Sequence, residues 1–363
     1  MYITMDQIQR LKNDYPWIET PLVVGAPMRL IALADLAVEI SKAGGIGFIG
    51  AGTDPTPLST ELALASSLLP PTPSGVLPIG IGFINWGIPS ITPLLPLLQH
   101  YKPAAIWLFA PKAISDLASW ATETRKVSPK TRVWVQVGSV ADAVAVVSEE
   151  GVGVDVLVVQ GSDAGGHGLV RGAGVVGLVP EVVDTVSALV AERTEAGRGR
   201  GLQMPIILAA GGIAEKRGMA AALALGAGGV VMGTRFLASR EAVLAKGYQD
   251  EVVRATDGGQ TTVRTKVYDR LRGTTGWDER HNARGVVNRS FWDAEKGVGD
   301  EKNKRLYEEE MAKGDAGWGV EGRMTTYAGA SVGLVKRVMG AGEIVREVRE
   351  GAVEVLEGFR GKL

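Results

Sequence analysis

Eight apolar runs alternate with segments of helical periodicity up to residue 239 of the chain. The runs are apolar at successive positions, as expected of parallel strands that are buried on both faces. This pattern predicts eight strands, at residues 22–28, 45–52, 76–86, 104–110, 131–138, 155–160, 205–210 and 229–233. It predicts helices between them, at residues 33–43, 57–68, 91–100, 113–126, 140–150, 180–196 and 216–225.

Strands that alternate with helices in this way form a parallel sheet covered by helices. Eight such units close naturally into a (β/α)₈ TIM barrel. An open doubly wound sheet is the alternative that fits the same alternation, although such sheets usually have fewer strands. We therefore predict a TIM barrel core over residues 1–239, preceded by a short amphipathic segment at residues 1–20.

The composition of the chain changes after residue 239. A helix is predicted at residues 242–254, and residues 256–322 are polar, charged and rich in glycine. We expect residues 240–326 to form an excursion that packs over the barrel without a second core, with the charges of residues 300–310 on a solvated helical face. Residues 327–363 become apolar again, and helices at residues 332–339 and 344–359 are expected to close the barrel.

Composition and charge narrow the classes of function. Hydrophobic residues make up 45% of the 363 residues and charged residues 22%, which is typical of a globular protein with a large core. The formal net charge of −1 gives no electrostatic reason to expect a nucleic acid or a membrane as partner. The absence of cysteine excludes disulfides, thiolate metal sites and cysteine nucleophiles. No signal peptide or membrane span is apparent, and we expect a cytoplasmic protein.

The most informative stretch follows the sixth predicted strand. Residues 158–168 read VVQGSDAGGHG, so a buried run leads into a glycine-rich loop that holds Gln160, Asp163 and His167. A glycine backbone can approach a flat or anionic ligand closely, and histidine suits proton transfer because its ordinary pKa is about 6.5. An ordinary tight turn also uses glycines, but loops on rigid scaffolds commonly carry sites. We predict a functional loop with His167 as its acid–base group.

The carboxyl ends of the strands form the ligand site of a parallel barrel. The ends of the earlier predicted strands carry mostly small or amide-bearing residues, which suit a flat heteroaromatic ligand. They are residues 26–28, 50–52 and 85–86, Gln136, and residues 160–167. Gly211 and Gly212 follow the seventh strand, and Gly233 and Thr234 follow the eighth. Gly211 and Gly212 could simply turn the chain, but strands seven and eight of a barrel often bind phosphate through backbone N–H groups, and Gly233 in the next unit favours this reading.

The remaining histidines and motifs give little evidence for a functional site. His100 is expected at the end of a helix, and His281 on the surface of the excursion, unless the excursion reaches the site. No histidine–carboxylate spacing resembles a metal site. Gly45, Gly47 and Gly50 fit a dinucleotide-binding pattern, but they lie inside a predicted strand, so we do not predict a Rossmann site.

Four stretches, taken together and in this order, resemble the nitronate monooxygenase family, formerly called 2-nitropropane dioxygenases. They are residues 25–28 (GAPM), 160–167 (QGSDAGGH), 209–213 (AAGGI) and 232–236 (MGTRF). The resemblance runs from about residue 22 to residue 239 and resumes at residues 327–334. It implies an FMN-dependent TIM barrel that oxidises alkyl nitronates, such as propionate 3-nitronate, with molecular oxygen to carbonyl compounds and nitrite, through a flavin semiquinone.

Position by position, the resemblance also implies roles for individual residues. It places five around the isoalloxazine ring, namely Ala26, Met28, Asn85, Gln160 and Gly165, and four at the FMN phosphate, namely Gly211, Gly212, Gly233 and Thr234. His167 would be catalytic, either taking a proton from a neutral nitroalkane or holding an anionic nitronate. Ala330 stands where many members carry glutamine, and the polar segment is longer than expected. We expect a small nitronate or nitroalkane and O₂ as partners, and a monomer or homodimer.

Two alternatives remain at this point. A flavin-dependent enoyl-acyl-carrier-protein reductase, which uses NAD(P)H, shares three of the four stretches, but usually carries glutamate where this chain has Gln160. A non-catalytic flavin-binding protein would need the glycines but not the imidazole of His167.

Overall fold

The computed structural model describes residues 4–196 and 203–360. Its strands are β1 (Leu22–Gly25), β2 (Ile46–Gly52), β3 (Leu77–Ile84), β4 (Pro103–Phe109), β5 (Arg132–Val137), β6 (Val156–Gln160), β7 (Gly166–Leu169), β8 (Ile206–Ala210), β9 (Gly229–Met232), β10 (Thr262–Thr265) and β11 (His281–Val286). The parts of the predicted segments that fall on residues 1–3, 197–202 and 361–363 lie outside the described residues.

The helices of the described residues are α1 (Met5–Asp14), α2 (Ala34–Lys42), α3 (Leu58–Leu68), α4 (Leu95–Tyr101), α5 (Asp116–Val127), α6 (Val140–Ser148), α7 (Val175–Glu195), α8 (Lys216–Ala224), α9 (Thr234–Leu237), α10 (Lys246–Arg254), α11 (Gly258–Thr261), α12 (Val267–Arg272), α13 (Arg289–Glu295), α14 (Asp300–Met311) and α15 (Ala341–Arg360). None of them is long and apolar enough to cross a membrane.

Eight parallel strands close into a barrel in the order β1-β2-β3-β4-β5-β6-β8-β9, and β9 pairs back with β1. The predicted (β/α)₈ TIM barrel is therefore confirmed, and the open doubly wound alternative is wrong. All eight strands that form the barrel overlap the eight predicted from the apolar runs. Burial of both strand faces, against the barrel interior and the outer helices, explains why the runs are continuously apolar.

The barrel interior is filled by side chains, with an aromatic cluster towards its amino-terminal end. The Phe48 ring lies 4.9 Å from Trp134 and 5.2 Å from Trp107 between centroids. Leu11 of α1 packs into the same cluster, and Tyr15 just after α1 accepts a hydrogen bond from Trp134 Nε1 at 2.7 Å. Helix α1 thus covers this end of the barrel, which leaves the carboxyl-terminal end for a ligand.

The carboxyl-terminal helix closes the outer layer of the barrel. Helix α15 packs against α2 and α8, as the apolar pattern at residues 344–359 predicted. The helix predicted at residues 332–339 is wrong, because only Val332–Leu334 form a 3₁₀ turn. Beyond that turn the backbone pairs with another segment: Met339 N donates to Ala238 O at 3.1 Å, and Met339 O accepts from Arg240 N at 2.9 Å.

Helix α7 begins at Val175, earlier than the start predicted at Pro180. Proline lacks the N–H that an interior helical position donates, so a proline at the sixth residue of a helix leaves one helical hydrogen bond unmade. Burial of Leu178 and Val179 on one side of Pro180, and of Val182 on the other, makes a continuous apolar face that outweighs the lost hydrogen bond.

The excursion contributes to a small antiparallel sheet with the strand order β10-β11-β7. One edge strand of this sheet, β7, falls in the glycine-rich stretch that we predict to be a loop. His167 of β7 pairs there with Ala283 of β11. The excursion also has a small hydrophobic cluster of its own, which we did not expect. Tyr268, Phe291 and Tyr307 belong to this cluster, and they are too widely spaced in the sequence to form an apolar run.

Candidate active site

The residues predicted to bind the cofactor lie at the carboxyl ends of the barrel strands. Strand β1 leads into Ala26 and Met28, β3 into Asn85, β8 into Gly211 and Gly212, and β9 into Gly233 and Thr234, while β6 ends at Gln160. The ends of β1 and β9 lie side by side. A Cβ placed on Gly233, after β9, would be 3.7 Å from Ala26 Cβ and 3.9 Å from Met28 Sδ, after β1.

Gly211 and Gly212 have backbone conformations that only glycine adopts readily, with φ of +97° and +75°. A Cβ on Gly211 would lie 2.8 Å from Gly161 O, and one on Gly212 would lie 3.0 Å from Asp163 Cβ. The turn after β8 is therefore packed closely against the loop after β6. The N–H groups of Gly211, Gly212 and Gly233 donate to no other described residue. We call these three residues the glycine cradle, and its free donors suit an anionic group.

Thr234 and Gly165 contact one segment from two sides. Thr234 Oγ1 accepts a hydrogen bond from Gly329 N at 2.9 Å, which leaves the hydroxyl proton available to another acceptor. A Cβ on Gly165 would lie 2.5 Å from Gly329 N and from the carbonyl carbon of Ala328. Close backbone packing is thus sufficient to require glycine at residue 165, and its predicted contact with the isoalloxazine ring stays a prediction.

Asn85 presents an unused hydrogen-bond donor. Its Oδ1 accepts from Phe109 N at 2.8 Å, whereas Nδ2 is buried and has no partner among the residues that the structure describes. A buried donor without an acceptor costs roughly 1–3 kcal/mol, which a ligand carrying an acceptor would recover. The isoalloxazine ring of a flavin carries carbonyl and ring-nitrogen acceptors. The free donor of Asn85 and those of the glycine cradle therefore fit a flavin nucleotide at this end of the barrel.

His167 lies beside this ligand site, with 15% of its side chain exposed. Its backbone is held by β11 and by Gln160, whose Nε2 donates to His167 O at 3.2 Å. The imidazole Nε2 lies 2.9 Å from Asp269 Oδ1. Nδ1 has no hydrogen-bond partner within the described parts of the chain. One ring nitrogen is thus bound to a carboxylate, and the other is free to act on a ligand.

Asp269, on α12, is buried with 5% of its side chain exposed. Besides His167, two neutral groups donate to the same Oδ1: Thr274 Oγ1 at 2.7 Å and Tyr327 Oη at 3.3 Å. The Tyr327 pKa is raised by burial and by the neighbouring Asp269, so its phenol stays protonated and remains a donor. The guanidinium of Arg272 lies 5.3 Å from the centre of the Tyr327 ring. The carboxylate is therefore held by several contacts at once.

An aromatic enclosure surrounds the imidazole. Trp277 stacks on His167 with the ring centroids 3.9 Å apart and the planes 9° from parallel. The Trp277 ring also meets Trp86, Phe109 and His281, at centroid distances of 5.5, 5.8 and 5.7 Å. These contacts bring a loop of the excursion against the ends of β3 and β4, and they shield one face of the imidazole from water.

Two arginines of the excursion hold the glycine-rich loop from its outer side. Arg264 donates to Ser162 O and to Ala164 O, both at 3.0 Å, and Arg284 donates to Ser162 O at 3.2 Å. Burial and, to a smaller extent, the neighbouring Arg284 lower the pKa of Arg264 to about 10, while Asp163 opposes the shift. The guanidinium groups fix the loop carbonyls and with them the path of the chain between Gln160 and His167.

Sequence reasoning missed or misplaced part of this site. His281 was expected on the surface, but it is buried, because it lies on β11 between β7 and β10 and its Nδ1 meets Asp278 Oδ1 at 2.5 Å. Asp269 was missed altogether, because it lies 102 residues from His167 in sequence. Both residues reach their places through contacts between segments that are distant in sequence. His100 is exposed in the last turn of α4, as expected. No cluster of metal-ligating side chains occurs in the described ranges.

Comparisons with known proteins identify the family of this chain. The sequence model of the family described as nitronate monooxygenase matches residues 113–351. The chain is 47% identical over 356 residues to nitronate monooxygenase npaC of Metarhizium robertsii, covering 96% of this chain and 95% of the relative. It is 38% identical over 369 residues to nitronate monooxygenase of Neurospora crassa, covering 96% of this chain and 93% of the relative.

The fold is also similar to that of a solved structure. FabK from Thermotoga maritima superposes with a TM-score of 0.72 at 25% sequence identity, covering 98% of this chain and 99% of that chain. This likeness extends over the excursion as well as the barrel. The resemblance noted in the sequence is confirmed: the chain belongs to the nitronate monooxygenase family of flavin-dependent TIM barrel oxidoreductases.

Proposed function

We propose that this protein is an FMN-dependent enzyme that oxidises small alkyl nitronates, such as propionate 3-nitronate, with molecular oxygen to carbonyl compounds and nitrite. The observation that carries the proposal is the placement of His167. Its imidazole is held by Asp269 at 2.9 Å and by the Trp277 ring at 3.9 Å, and its free nitrogen lies at the ligand end of the barrel. Family membership supports oxidation of nitronates and argues against a non-catalytic flavin-binding protein.

The glycine cradle supports FMN as the flavin. Free N–H groups on Gly211, Gly212 and Gly233 suit a terminal phosphate, and the Thr234 hydroxyl keeps a proton to donate. The isoalloxazine ring would lie among Ala26, Met28, Asn85, Gln160 and Gly165, with Asn85 Nδ2 donating to one of its acceptors. When bound, FMN supplies the electron-accepting chemistry that these side chains lack.

His167 binds and orients the substrate in this proposal. A protonated imidazole would donate from Nδ1 to an oxygen of the anionic nitronate, and a neutral one would accept a proton from a nitroalkane. Trp277 and Trp86 exclude water beside the imidazole, which strengthens either interaction. The substrate and O₂ are the partners we propose, with the protein acting as a monomer or homodimer.

The test is to purify the protein, record its visible spectrum, and add propionate 3-nitronate under air and under argon. We expect a yellow protein that releases FMN on denaturation, forms nitrite and consumes O₂ under air, and gives no sustained nitrite release under argon. A colourless protein that takes up no FMN would overturn the proposal.

The same preparation separates the nitronate enzyme from an enoyl-acyl-carrier-protein reductase, which the Gln160 position already disfavours. Under argon, a nitronate should bleach the flavin absorbance, and NADH should leave it unchanged over the same period. Rapid bleaching by NADH, with none by the nitronate, would favour the reductase.

A further inference from the structure

We propose that Asp269 is a positioning residue that sets the tautomer of His167, so that Nδ1 carries the lone pair and is the base of the site. This inference rests on the proposed function, because it assigns the proton-accepting atom for a neutral nitroalkane. The observation behind it is the 2.9 Å contact between His167 Nε2 and Asp269 Oδ1. Asp269 lies in the excursion, on α12, whereas His167 follows the barrel strand β6.

The tautomer follows from hydrogen-bonding capacity. Asp269 Oδ1 accepts from Thr274 Oγ1 at 2.7 Å and from Tyr327 Oη at 3.3 Å, so it acts as an acceptor towards both neighbours. An acceptor at 2.9 Å from an imidazole nitrogen requires a proton on that nitrogen. A neutral imidazole carries one proton, so Nε2–H leaves the lone pair on Nδ1.

The surroundings hold both partners in this arrangement. Thr274 N donates to the backbone oxygen of Asp269 at 3.0 Å, in addition to the bond from its hydroxyl, so the carboxylate on α12 is held by a residue just beyond the end of that helix. The imidazole plane is held by the parallel ring of Trp277, and Tyr327 meets its edge at a centroid distance of 5.6 Å. A ring flip that exchanged the two nitrogens would break the bond to Asp269 within this closely packed enclosure.

The proton-transfer step can then be assigned atom by atom. Nδ1 takes a proton from the carbon next to the nitro group of a neutral nitroalkane, and the electron pair of the broken C–H bond moves into the nitro group to give the nitronate. The imidazole becomes an imidazolium, whose Nε2–H already donates to the Asp269 carboxylate. The adjacent negative charge favours this cation. A nitronate supplied ready-made has no such proton to lose, so its oxidation does not need the base.

Nitrogen NMR tests the tautomer without an activity measurement. The chain has three histidines, His100, His167 and His281, so a histidine-¹⁵N-labelled sample gives few imidazole signals, which a His167→Asn variant assigns. In the purified wild-type protein, at a pH where its imidazole is neutral, His167 should show the proton on Nε2. A proton on Nδ1 of His167 in the wild-type protein would overturn the proposal, whatever the enzyme does with substrates.

The variant Asp269→Asn tests the consequence for catalysis. A carboxamide can donate to Nε2, which moves the imidazole proton to Nδ1 and removes the base. We expect kcat/KM for nitroethane to fall by about 10²-fold or more, the scale of general base catalysis, and kcat/KM for its preformed nitronate to change less than about fivefold. The His167 spectrum of the variant should show the proton on Nδ1.

Asp278→Asn is the matched control. It makes the same substitution at another carboxylate that contacts a histidine ring, since Asp278 Oδ1 lies 2.5 Å from His281 Nδ1. We expect the control to alter the His281 signals and to leave the His167 tautomer and the nitroethane-to-nitronate activity ratio unchanged.

The outcomes separate this inference from the proposed function. Equal losses with both substrates in Asp269→Asn, at unchanged FMN content and thermal stability, would overturn the positioning role. A wild-type enzyme that oxidises the nitronate but not nitroethane would overturn the base and leave the proposed function standing. If the wild type oxidises neither substrate, the proposed function fails, and the spectra still decide whether Asp269 sets the tautomer. They also decide it if Asp269→Asn does not fold, because the wild-type spectrum alone is then sufficient.

Discussion

The barrel mouth and the excursion contribute to one site in different ways. The barrel supplies mainly backbone: three glycines with free N–H groups, and short side chains around them. The excursion supplies large side chains. Asp269 is bonded to His167 and Trp277 stacks on it, while Arg264 and Arg284 hold the carbonyls of the loop that leads to it. Cofactor binding and imidazole placement therefore depend on separate parts of the chain, and substitutions in the two parts should have separable effects.

The largest effect is expected in the glycine cradle. Gly212→Ala puts a Cβ 3.0 Å from Asp163 Cβ at a φ of +75°, so the backbone turn must move and its N–H groups lose their direction. We expect the Kd for FMN to rise about tenfold or more, which corresponds to about 1.4 kcal/mol. Fluorescence titration of the apoprotein with FMN measures the change.

Gly297→Ala is the control for backbone strain in this comparison. Gly297 has a similar φ of +84° but nothing within 4 Å of a built Cβ, and it lies between α13 and α14. Both variants should lose about 1–2 kcal/mol of unfolding free energy from the left-handed alanine, but only Gly212→Ala should weaken FMN binding. Equal FMN affinity in the two variants would show that the cradle does not hold the phosphate.

A smaller effect, on kcat/KM, is expected for a substitution in the excursion, at Trp277. Trp277→Ala removes the ring that stacks on His167 at 3.9 Å and admits water to that face. A stacked aromatic pair contributes about 0.5–1.5 kcal/mol, so kcat/KM for a nitronate should fall by up to about tenfold, with the FMN affinity unchanged. Steady-state kinetics and the same FMN titration measure the two quantities.

Trp292→Ala provides the reference for Trp277. Trp292 also lies in the excursion, is 52% exposed, and packs edge-on against Phe291. Its loss should leave both kcat/KM and FMN affinity at wild-type values. A drop in FMN affinity for Trp277→Ala alone would mean that the excursion takes part in cofactor binding, and the division between the two regions would be wrong.

The smallest effect on activity is expected at the opposite end of the barrel. Tyr15→Phe removes the acceptor for Trp134 Nε1, which is buried in the amino-terminal part of the core. An unpaired buried indole N–H costs about 1–3 kcal/mol, so urea denaturation should show a lower unfolding free energy by that amount. Turnover and FMN content should not change, because this end of a TIM barrel serves stability. A loss of turnover at full FMN content would contradict that assignment.

The barrel could be predicted because its signals are local. An apolar run such as residues 155–160 indicates a buried strand whatever follows it, and the glycines after each strand mark the ligand end. Local signals failed where another segment supplies the hydrogen bonds. Residues 332–339 look helical by their apolar content, but Met339 pairs with the backbone at Ala238 and Arg240.

The structure of the excursion is predicted less accurately than the barrel, because distant segments supply its hydrogen bonds as well. Its polar composition predicted a surface segment, and His281 was placed on that surface. The sequence contains no signal that β11 would pair with β7, because that pairing joins a glycine-rich stretch to a charged one across more than a hundred residues. The carboxylate partner of His167 could not be foreseen either, since one aspartate on a short helix is not distinguished by spacing or pattern.

The pairing of β7 with β11 has a consequence for the order in which the site can form during synthesis. Chains are made from the amino terminus at roughly 5–20 residues per second, and contacts between distant segments must wait for the later one. The strand that carries His167 leaves the ribosome well before its partner strand and before the helix of Asp269. A nascent chain therefore completes the glycine turns after β8 and β9 first, and the imidazole acquires its final orientation only when the later segment docks.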